Sequence, residues 1–427
     1  MTHITDIKAR QILDSRGNPT VEVTVFVGNM TGTASVPSGA STGKHEALEL
    51  RDHLKDFLGQ GVTKAIKNIE TKIKPLLLGT DVMLQREIDS LMIEKDKTEN
   101  KSRLGANAIL GVSLACAKVA AEVKGLTLYE HLNETLLLDK NPKMPRCFFN
   151  IINGGKHADN KLSFQEFMIS PNFNSITKNI QAASEIYHHL KKDLHQKYGK
   201  GTTNVGDEGG FAPEKLRTTE QALTILLKAI KDAKYKPGKN KNEIGLAIDC
   251  AASEFYNKGM YKIDGKRLSQ EKLLQFYLKL IKKYPIISLE DPFEQEDFSS
   301  FAQLKQWSDN PKNKKHKIQV VGDDLTVTNR KRIEEAIEKE SCNCLLLKVN
   351  QIGTLTEALD VARLAYENRW KVMVSHRSGE TEDPFIAELA VALGDQLKAG
   401  APCRGERTAK YNQLLRIQEL MKMDRRH

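Results

Sequence analysis

Five short apolar runs in the second part of this chain end in charged or polar residues, and helical stretches lie between them. The runs are Ile244–Asp249, Ile286–Asp291, Ile318–Asp324, Cys344–Asn350 and Lys371–Arg377. The helices read Leu268–Lys283, Arg330–Lys339 and Leu355–Asn368. Strands that alternate with helices imply a parallel sheet, because parallel strands need a long crossover. So many units fit a closed barrel better than an open sheet. No G-x-G-x-x-G follows a strand, which weakens a dinucleotide-binding alternative.

In an α/β barrel the functional side chains stand at the C-terminal ends of the strands. Here those ends read Asp249, Glu290-Asp291, Asp323-Asp324, Lys348 and His376-Arg377. A buried, unpaired carboxylate costs several kcal/mol on a rough scale, so something must compensate three of them in succession. Oxygen-only ligands select a hard cation, and Mg²⁺ is the usual one in an intracellular enzyme. A single acid in such a place is explained by capping of the next helix. Three in order, followed by a lysine and a His-Arg-Ser run, favour a metal site.

The first third reads differently. Val21, Val23, Val25 and Val27 alternate with Glu22, Thr24 and Phe26, a strand pattern, and a second strand is expected near Gly32–Val36. Helices are expected over Thr63–Leu77, Leu84–Ile93 and the alanine-rich Ala106–Val123. Strands followed by helices make an α+β unit. The division is therefore an N-terminal α+β capping domain, 1–135, and a barrel domain, 136–427, which suits a chain of 427 residues.

Bulk properties narrow the setting. With 40% hydrophobic and 28% charged residues, the chain is a globular protein and not a fibre or a disordered tail. No apolar run reaches the roughly 20 residues of a membrane span. Met1–Gly17 has no apolar centre, so it does not read as a signal peptide, and the cytoplasm is the expected location. The six cysteines make no C-x-x-C pair and are expected as reduced, buried thiols, with Cys342 and Cys344 on one face of a strand. A net charge of +10 invites a nucleic-acid reading. The charge gathers in loops, Lys234–Lys241 and Lys312–Lys317, which favours weak, salt-sensitive contact with polyanions over a specific site.

Three local patterns are decoys or turns. Gly39-Ala40-Ser41-Thr42-Gly43-Lys44-His45 resembles a phosphate loop but lacks its spacing and the hydroxyl after lysine. His188, His189 and His195 lie on a lysine-rich helical segment and read as a solvated face. Gly206-Asp207-Glu208-Gly209-Gly210 is either a plain turn or a tight loop that holds an acid near a ligand.

Taken in order, the motifs resemble the enolase family almost from end to end. They run from Asp14-Ser15-Arg16-Gly17-Asn18-Pro19-Thr20 through Ser38-Gly39-Ala40-Ser41-Thr42-Gly43, Asn153-Gly154-Gly155-Lys156-His157-Ala158 and Gln165-Glu166-Phe167-Met168. Gly206–Gly210, Ser288–Phe293, Gly322–Leu325, Leu347–Gly353, Ser375–Thr381 and Tyr411-Asn412-Gln413 complete the set. The resemblance implies a modified eight-stranded barrel that begins with antiparallel strands. It implies the reversible dehydration of 2-phospho-D-glycerate to phosphoenolpyruvate in glycolysis and gluconeogenesis, with Mg²⁺ as cofactor.

By the same resemblance Asp249, Glu290 and Asp323 hold a first Mg²⁺, and Ser41 helps bind a second once substrate is present. Lys348 is the general base. Glu208, with Glu166 beside it, is the general acid. Arg377 and Ser378 bind the phosphate, Lys398 contacts the substrate carboxylate, and His157 and Gln165 belong to the substrate pocket. For this chemistry the Lys348 amine is expected to be lowered by burial and nearby cations, and the Glu208 carboxyl raised by burial and Glu166. Family members are usually homodimers or higher homo-oligomers, and some have a further role at cell surfaces or in RNA-processing assemblies. This chain departs from the family wording at Asp395, where glycine is common, and at Ala399, where threonine is common. The added carboxylate, so close in sequence to Lys398, is expected to weaken that lysine's field on the substrate. A different carboxylate substrate is disfavoured by the Arg377-Ser378 pair and by Glu208.

Overall fold

The computed structural model describes residues 2–40, 43–136 and 141–424. Three strands open it: β1 (Asp6–Leu13), β2 (Pro19–Val27) and β3 (Met30–Ser35). They pair antiparallel in chain order. Val21, Val23, Val25 and Val27 are fully buried, as their alternation predicts. The helix Ala106–Lys124 covers this face. At Gly32 of β3 an added Cβ would lie 2.3 Å from the Ala115 carbonyl oxygen, so helix and strand backbones meet directly there.

That helix also corrects an expectation. It is long and apolar enough to cross a membrane by length and composition. It is buried almost all round against the sheet and its neighbours, which makes it the core helix of this region.

The remaining strands are β4 (Arg146–Asn153), β5 (Glu166–Pro171), β6 (Ile244–Asp249), a small sheet of β7 (Tyr256–Asn257), β8 (Met260–Ile263) and β9 (Lys266–Leu268), then β10 (Ile286–Glu290), β11 (Gln319–Gly322), β12 (Cys344–Leu347), β13 (Lys371–Ser375) and β14 (Gln396–Lys398). Eight of them close a barrel in the order β4-β5-β6-β10-β11-β12-β13-β14. All its pairings are parallel except those of β5, which runs antiparallel to β4 and β6. Phe148, Met168, Ala247, Val321, Cys344, Leu346 and Met373 form the small apolar cluster contributed by the barrel strands.

The helices lie at Gln270–Lys283, Arg330–Glu338 and Leu355–Glu367. Their starts are set by Ser269, Asn329 and Thr354, whose side chains accept from backbone N–H groups of the first turn. The strands end earlier than their apolar runs suggest. Asp323 and Lys348 have already left the ladder, and Val349–Ile352 forms a helical turn. Strand pairing needs both neighbours in register, whereas these residues turn inward over the barrel mouth.

Two smaller expectations change. Cys342 and Cys344 do not share a face: the strand begins at Cys344, which joins the barrel-strand cluster, while Cys342 packs in the main core. All six thiols are free, and five are buried. His188 and His195 are exposed on the helix Ile176–Tyr198, in keeping with a solvated face.

The N-terminal region seats on the barrel mouth through backbone. Ser38 and Gly379 exchange two N–H···O bonds of 2.7 and 2.8 Å, and the Ser15 N–H donates to the Glu380 carbonyl at 2.7 Å.

Candidate active site

Register brings the acids together. Glu166, the first residue of β5, is paired with Asp249, the last of β6, and Asp249 with Glu290, the last of β10. Only the reversed direction of β5 lets its first residue stand at the end of the barrel where its neighbours finish. Lys398 closes β14 beside Ser375 of β13. Asp323, Lys348, His376 and Arg377 follow β11, β12 and β13 directly. Gln165 precedes β5, with its N–H donating to the Asp249 carbonyl at 3.1 Å. Apart from Glu290, which lies behind Lys398, these residues line one small polar cavity together with His157, Glu208, Ser378 and Glu46.

The ammonium of Lys398 is 2.8 Å from Glu290, 3.1 Å from Glu166 and 3.2 Å from Asp249. Burial would lower its pKa, but Glu166, Glu290 and Asp249 outweigh that and hold it well above the usual lysine value. Asp323 turns instead to Lys348, at 2.6 Å, and accepts from Gln351 at 3.0 Å. The three expected metal ligands are therefore divided between two lysines. Among the described residues, two groups of three hold their ligand atoms within 4.8 Å of one another: Asp291, Asp323 and Asp324, and His157, Glu166 and Glu208. Asp291 is a bracket for this turn: its two oxygens accept the backbone N–H groups of Asp323 and Asp324 at 2.8 and 2.6 Å. It does so with φ of 40°, a strained left-handed backbone.

The carboxylates carry more charge than the lysines answer. Burial, then Asp249, pushes the Glu290 carboxyl well above its ordinary value. Burial, then Asp323, pushes Asp324 up to about 7. Glu290 Oε2 is buried without a hydrogen-bond partner. An all-oxygen set with an unanswered buried oxygen fits a hard divalent cation.

Lys348 departs from expectation. Burial, the largest single influence, lowers its pKa, as do Arg377 and Lys398, but the carboxylates around it, Asp323 first and then Glu290, together outweigh them and the amine is raised. The surrounding carboxylates together stabilise the ammonium more than desolvation penalises it. The acid side departs too. Burial raises Glu208, but His157 and His376 outweigh it and hold this carboxyl well below the ordinary range. Its Oε2 accepts from Asn150 at 2.7 Å, and its Oε1 lies 3.3 Å from His157 Nδ1 and 3.6 Å from His376 Nε2. Arg407 donates to His376 Nδ1 at 2.7 Å, so the neutral ring carries its proton on Nε2, toward Glu208. Glu166 is the raised member of the pair, by burial and then by Glu208. The proton of this pair belongs with Glu166 while Glu208 collects the donors.

The glycine-bounded loop that holds Glu208 is the tight-loop alternative and not a plain turn. An added Cβ at Gly206 would lie 2.2 Å from the His157 carbonyl oxygen, and Gly209 has φ of 80°.

Arg377 is clamped by a residue that motif reading passed over. Its Nη1 donates to Glu46 Oε2 at 3.0 Å and its Nη2 to Glu46 Oε1 at 3.2 Å, both side chains being nearly inaccessible. Glu46 also accepts from the Gly43 N–H at 2.8 Å. It lies one residue beyond the false phosphate loop, so the loop's glycines were the signal, read for the wrong chemistry. Ser378 accepts from the Ala40 N–H at 2.7 Å through its hydroxyl. Ser41 lies outside the described residues. Arg407, fully buried, donates to the Arg377 and Ser378 carbonyls, and nothing local in the sequence marks it.

Asp395 does not act on Lys398 as expected. It sits at the opposite end of β14, where its carboxylate accepts from the Val372 N–H at 2.7 Å. Three residues along a strand span about 10 Å, so it belongs to the barrel floor.

Comparison with known proteins agrees with this geometry. Residues 4–132 match the family model for the enolase N-terminal domain, and residues 141–425 that for the enolase C-terminal TIM barrel domain. The chain is 54% identical over 419 residues to the enolase of Methanocaldococcus jannaschii, covering 97% of this chain and 95% of that one. It is 55% identical over 420 residues to the enolase of Thermococcus gammatolerans, covering 97% and 94%. For the enolase of Pyrococcus furiosus the figure is 53% over 420 residues, with the same coverage. The two halves of this barrel-and-cap architecture each match their own model, and the chain belongs to the enolase family of hydro-lyases.

Proposed function

We propose that this chain dehydrates 2-phospho-D-glycerate reversibly to phosphoenolpyruvate, with Lys348 as the base and the Glu208–Glu166 pair as the acid. The observation that carries the assignment of roles is strand order. β12, which delivers Lys348, stands four places from β5, which delivers Glu166, in the ring of eight. Base and acid therefore face each other across the mouth, with the substrate between them. Proton removal from one side and protonation of the leaving hydroxide on the other is what this elimination requires.

Asp249, Glu290 and Asp323 are the residues suited to hold Mg²⁺, and a second ion with Ser41 belongs to the same proposal. Bound there, Mg²⁺ supplies positive charge where negative charge develops on the substrate carboxylate; a lysine base working with Mg²⁺ is the established pattern of the enolase superfamily. Lys348 is held protonated chiefly by Asp323. With that carboxylate and Glu290 both committed to a metal, burial, Arg377 and Lys398 favour the neutral amine. Arg377 and Ser378 receive the phosphate, which requires Glu46 to yield its place on the guanidinium. Lys398 meets the substrate carboxylate, and His157 and Gln165 enclose the site. A homodimer or higher homo-oligomer in the cytoplasm is part of this reading, and sedimentation equilibrium tests the first of these.

The deciding assay follows the ultraviolet rise of phosphoenolpyruvate from 2-phosphoglycerate and Mg²⁺. No rise with the purified chain rejects the activity. Equal exchange of the substrate α-proton with solvent in Lys348→Ala and Glu208→Gln rejects the roles of base and acid while leaving the activity standing.

A further inference from the structure

The N-terminal ends of the barrel strands surround a second cavity, of about 820 Å³ and open to solvent. Arg146 begins β4 and Lys371 begins β13 at its wall, and Lys305, Lys317 and Arg369 complete five cations against two carboxylates, Asp309 and Glu340. Asp309 is taken by Lys305 at 3.2 Å and Lys317 at 3.4 Å. The basic loops that look unrelated in sequence converge here: the Lys239 ammonium donates to the Lys317 carbonyl at 3.2 Å.

Solvated lysines alone would be an ordinary surface. Arg146 is different. Among the described residues its guanidinium donates to neutral partners only, to Ser170 Oγ at 2.8 Å and the Ser170 carbonyl at 3.2 Å. Burial alone pushes its pKa down to about 10, with no carboxylate opposing the shift. A guanidinium is the group that binds phosphate in a fork of two hydrogen bonds. Phe148, Trp370 and Ile287 add apolar wall to the same cavity, and its volume is that of a small-molecule site.

We infer that the barrel floor binds a small, multiply charged anion of the phosphate-ester or polyphosphate class, at a site separate from the catalytic mouth. The anion's charged groups meet Arg146, Arg369 and Lys371, and any organic part meets the indole of Trp370.

The test titrates inorganic tripolyphosphate into the whole protein by calorimetry, with phosphoenolpyruvate and Mg²⁺ saturating the mouth. The expected result is a one-to-one isotherm that weakens at least about tenfold in Arg146→Gln and in Lys371→Glu, because each variant removes a charge-assisted contact. Lys371 is exposed, so its variant keeps the test valid if Arg146→Gln misfolds. Dehydration by the Lys371→Glu enzyme should be unchanged. Absence of saturable binding, or binding that Lys371→Glu leaves intact, overturns the inference. So does binding that the mouth substitution Arg377→Ala abolishes while Lys371→Glu spares it, which would place the anion in the mouth. An oligonucleotide that binds through the same residues far more tightly than tripolyphosphate would replace the small anion with an extended one.

Discussion

The two ends of one barrel hold opposite electrostatics on the same strands. At the mouth, Glu166, Asp249 and Glu290 surround the Lys398 ammonium and hold it protonated. At the floor, the Lys239 ammonium donates to the Lys317 carbonyl, and burial alone pushes its pKa down to about 8. β14 shows both in three residues: Lys398 ends it in the acid cage, and Gln396 begins it at the floor, bonded to Gln319. Residue type does not decide how a lysine behaves. The groups that the fold places around it decide, because contact charges and desolvation act with different signs. The acid end is thereby prepared for cations and proton transfer. The basic end is prepared for anions.

The contrast is broken most sharply by Lys348→Ala. Loss of a positioned base lowers kcat about 10²- to 10⁴-fold, with α-proton exchange lost too. Glu208→Gln should retain exchange while dehydration stops. If Lys371→Glu at the floor lowered kcat comparably, the two ends would not be functionally separate.

Glu46→Gln tests the link between cap and mouth. Breaking a buried ion pair removes the carboxylate in contact with Arg377 and costs roughly 3 kcal/mol of stability. Phosphoenolpyruvate should restore more of that loss in the variant than it adds to the parent, since its phosphate replaces the missing carboxylate. Thermal melts with and without the ligand measure this, and equal ligand shifts in the two proteins would dissociate Glu46 from phosphate binding.

Metal removal comes next. A chelator should abolish dehydration and Mg²⁺ restore it. At a metal concentration about a hundred times the dissociation constant, the folded state gains about 2.7 kcal/mol. Asp323→Asn should diminish that gain, read as the Mg²⁺-dependent rise in Tm, whereas floor substitutions should leave it alone.

Smaller effects probe the floor. Gln319 and Gln396 exchange hydrogen bonds of 3.0 and 2.9 Å. Gln396→Leu alone strands a polar partner and costs about 1–2 kcal/mol, while the double change to leucine recovers most of it. Urea melts of the three variants form the cycle, and additive losses would show that the pair is not coupled. The smallest effect is that of pH on Lys239. The folded chain releases its proton near 8 and the unfolded chain near 10.5, so the unfolded state binds more protons between these values. Stability should rise slightly with pH across that window, and the rise should shrink in Lys239→Met.

Much of the fold was legible locally. Period-two valines marked β2, and apolar runs separated by capped helices marked β6, β10, β11, β12 and β13. Strand ends were less legible, because Asp323 and Lys348 continue the apolar run in sequence but turn away from the ladder. The reversal of β5 left no local mark, since all six of its residues are buried whichever way it runs. Motif reading named most of the mouth. It passed over Glu46, Asn150 and Arg407, whose roles exist only through partners as much as 331 residues away.

By itself the sequence determined the elements, the family and the chemical inventory of the mouth, because periodicity, caps and side-chain type are local properties. Tertiary structure decided where the charge goes. It joined Lys398 to the acid cage and Asp323 to Lys348, shifted the proton of the acid pair toward Glu166, clamped Arg377 with Glu46 and sent Asp395 to the floor. A pKa or an ion pair is a sum over neighbours within a few ångströms, and only the closed barrel specifies those neighbours.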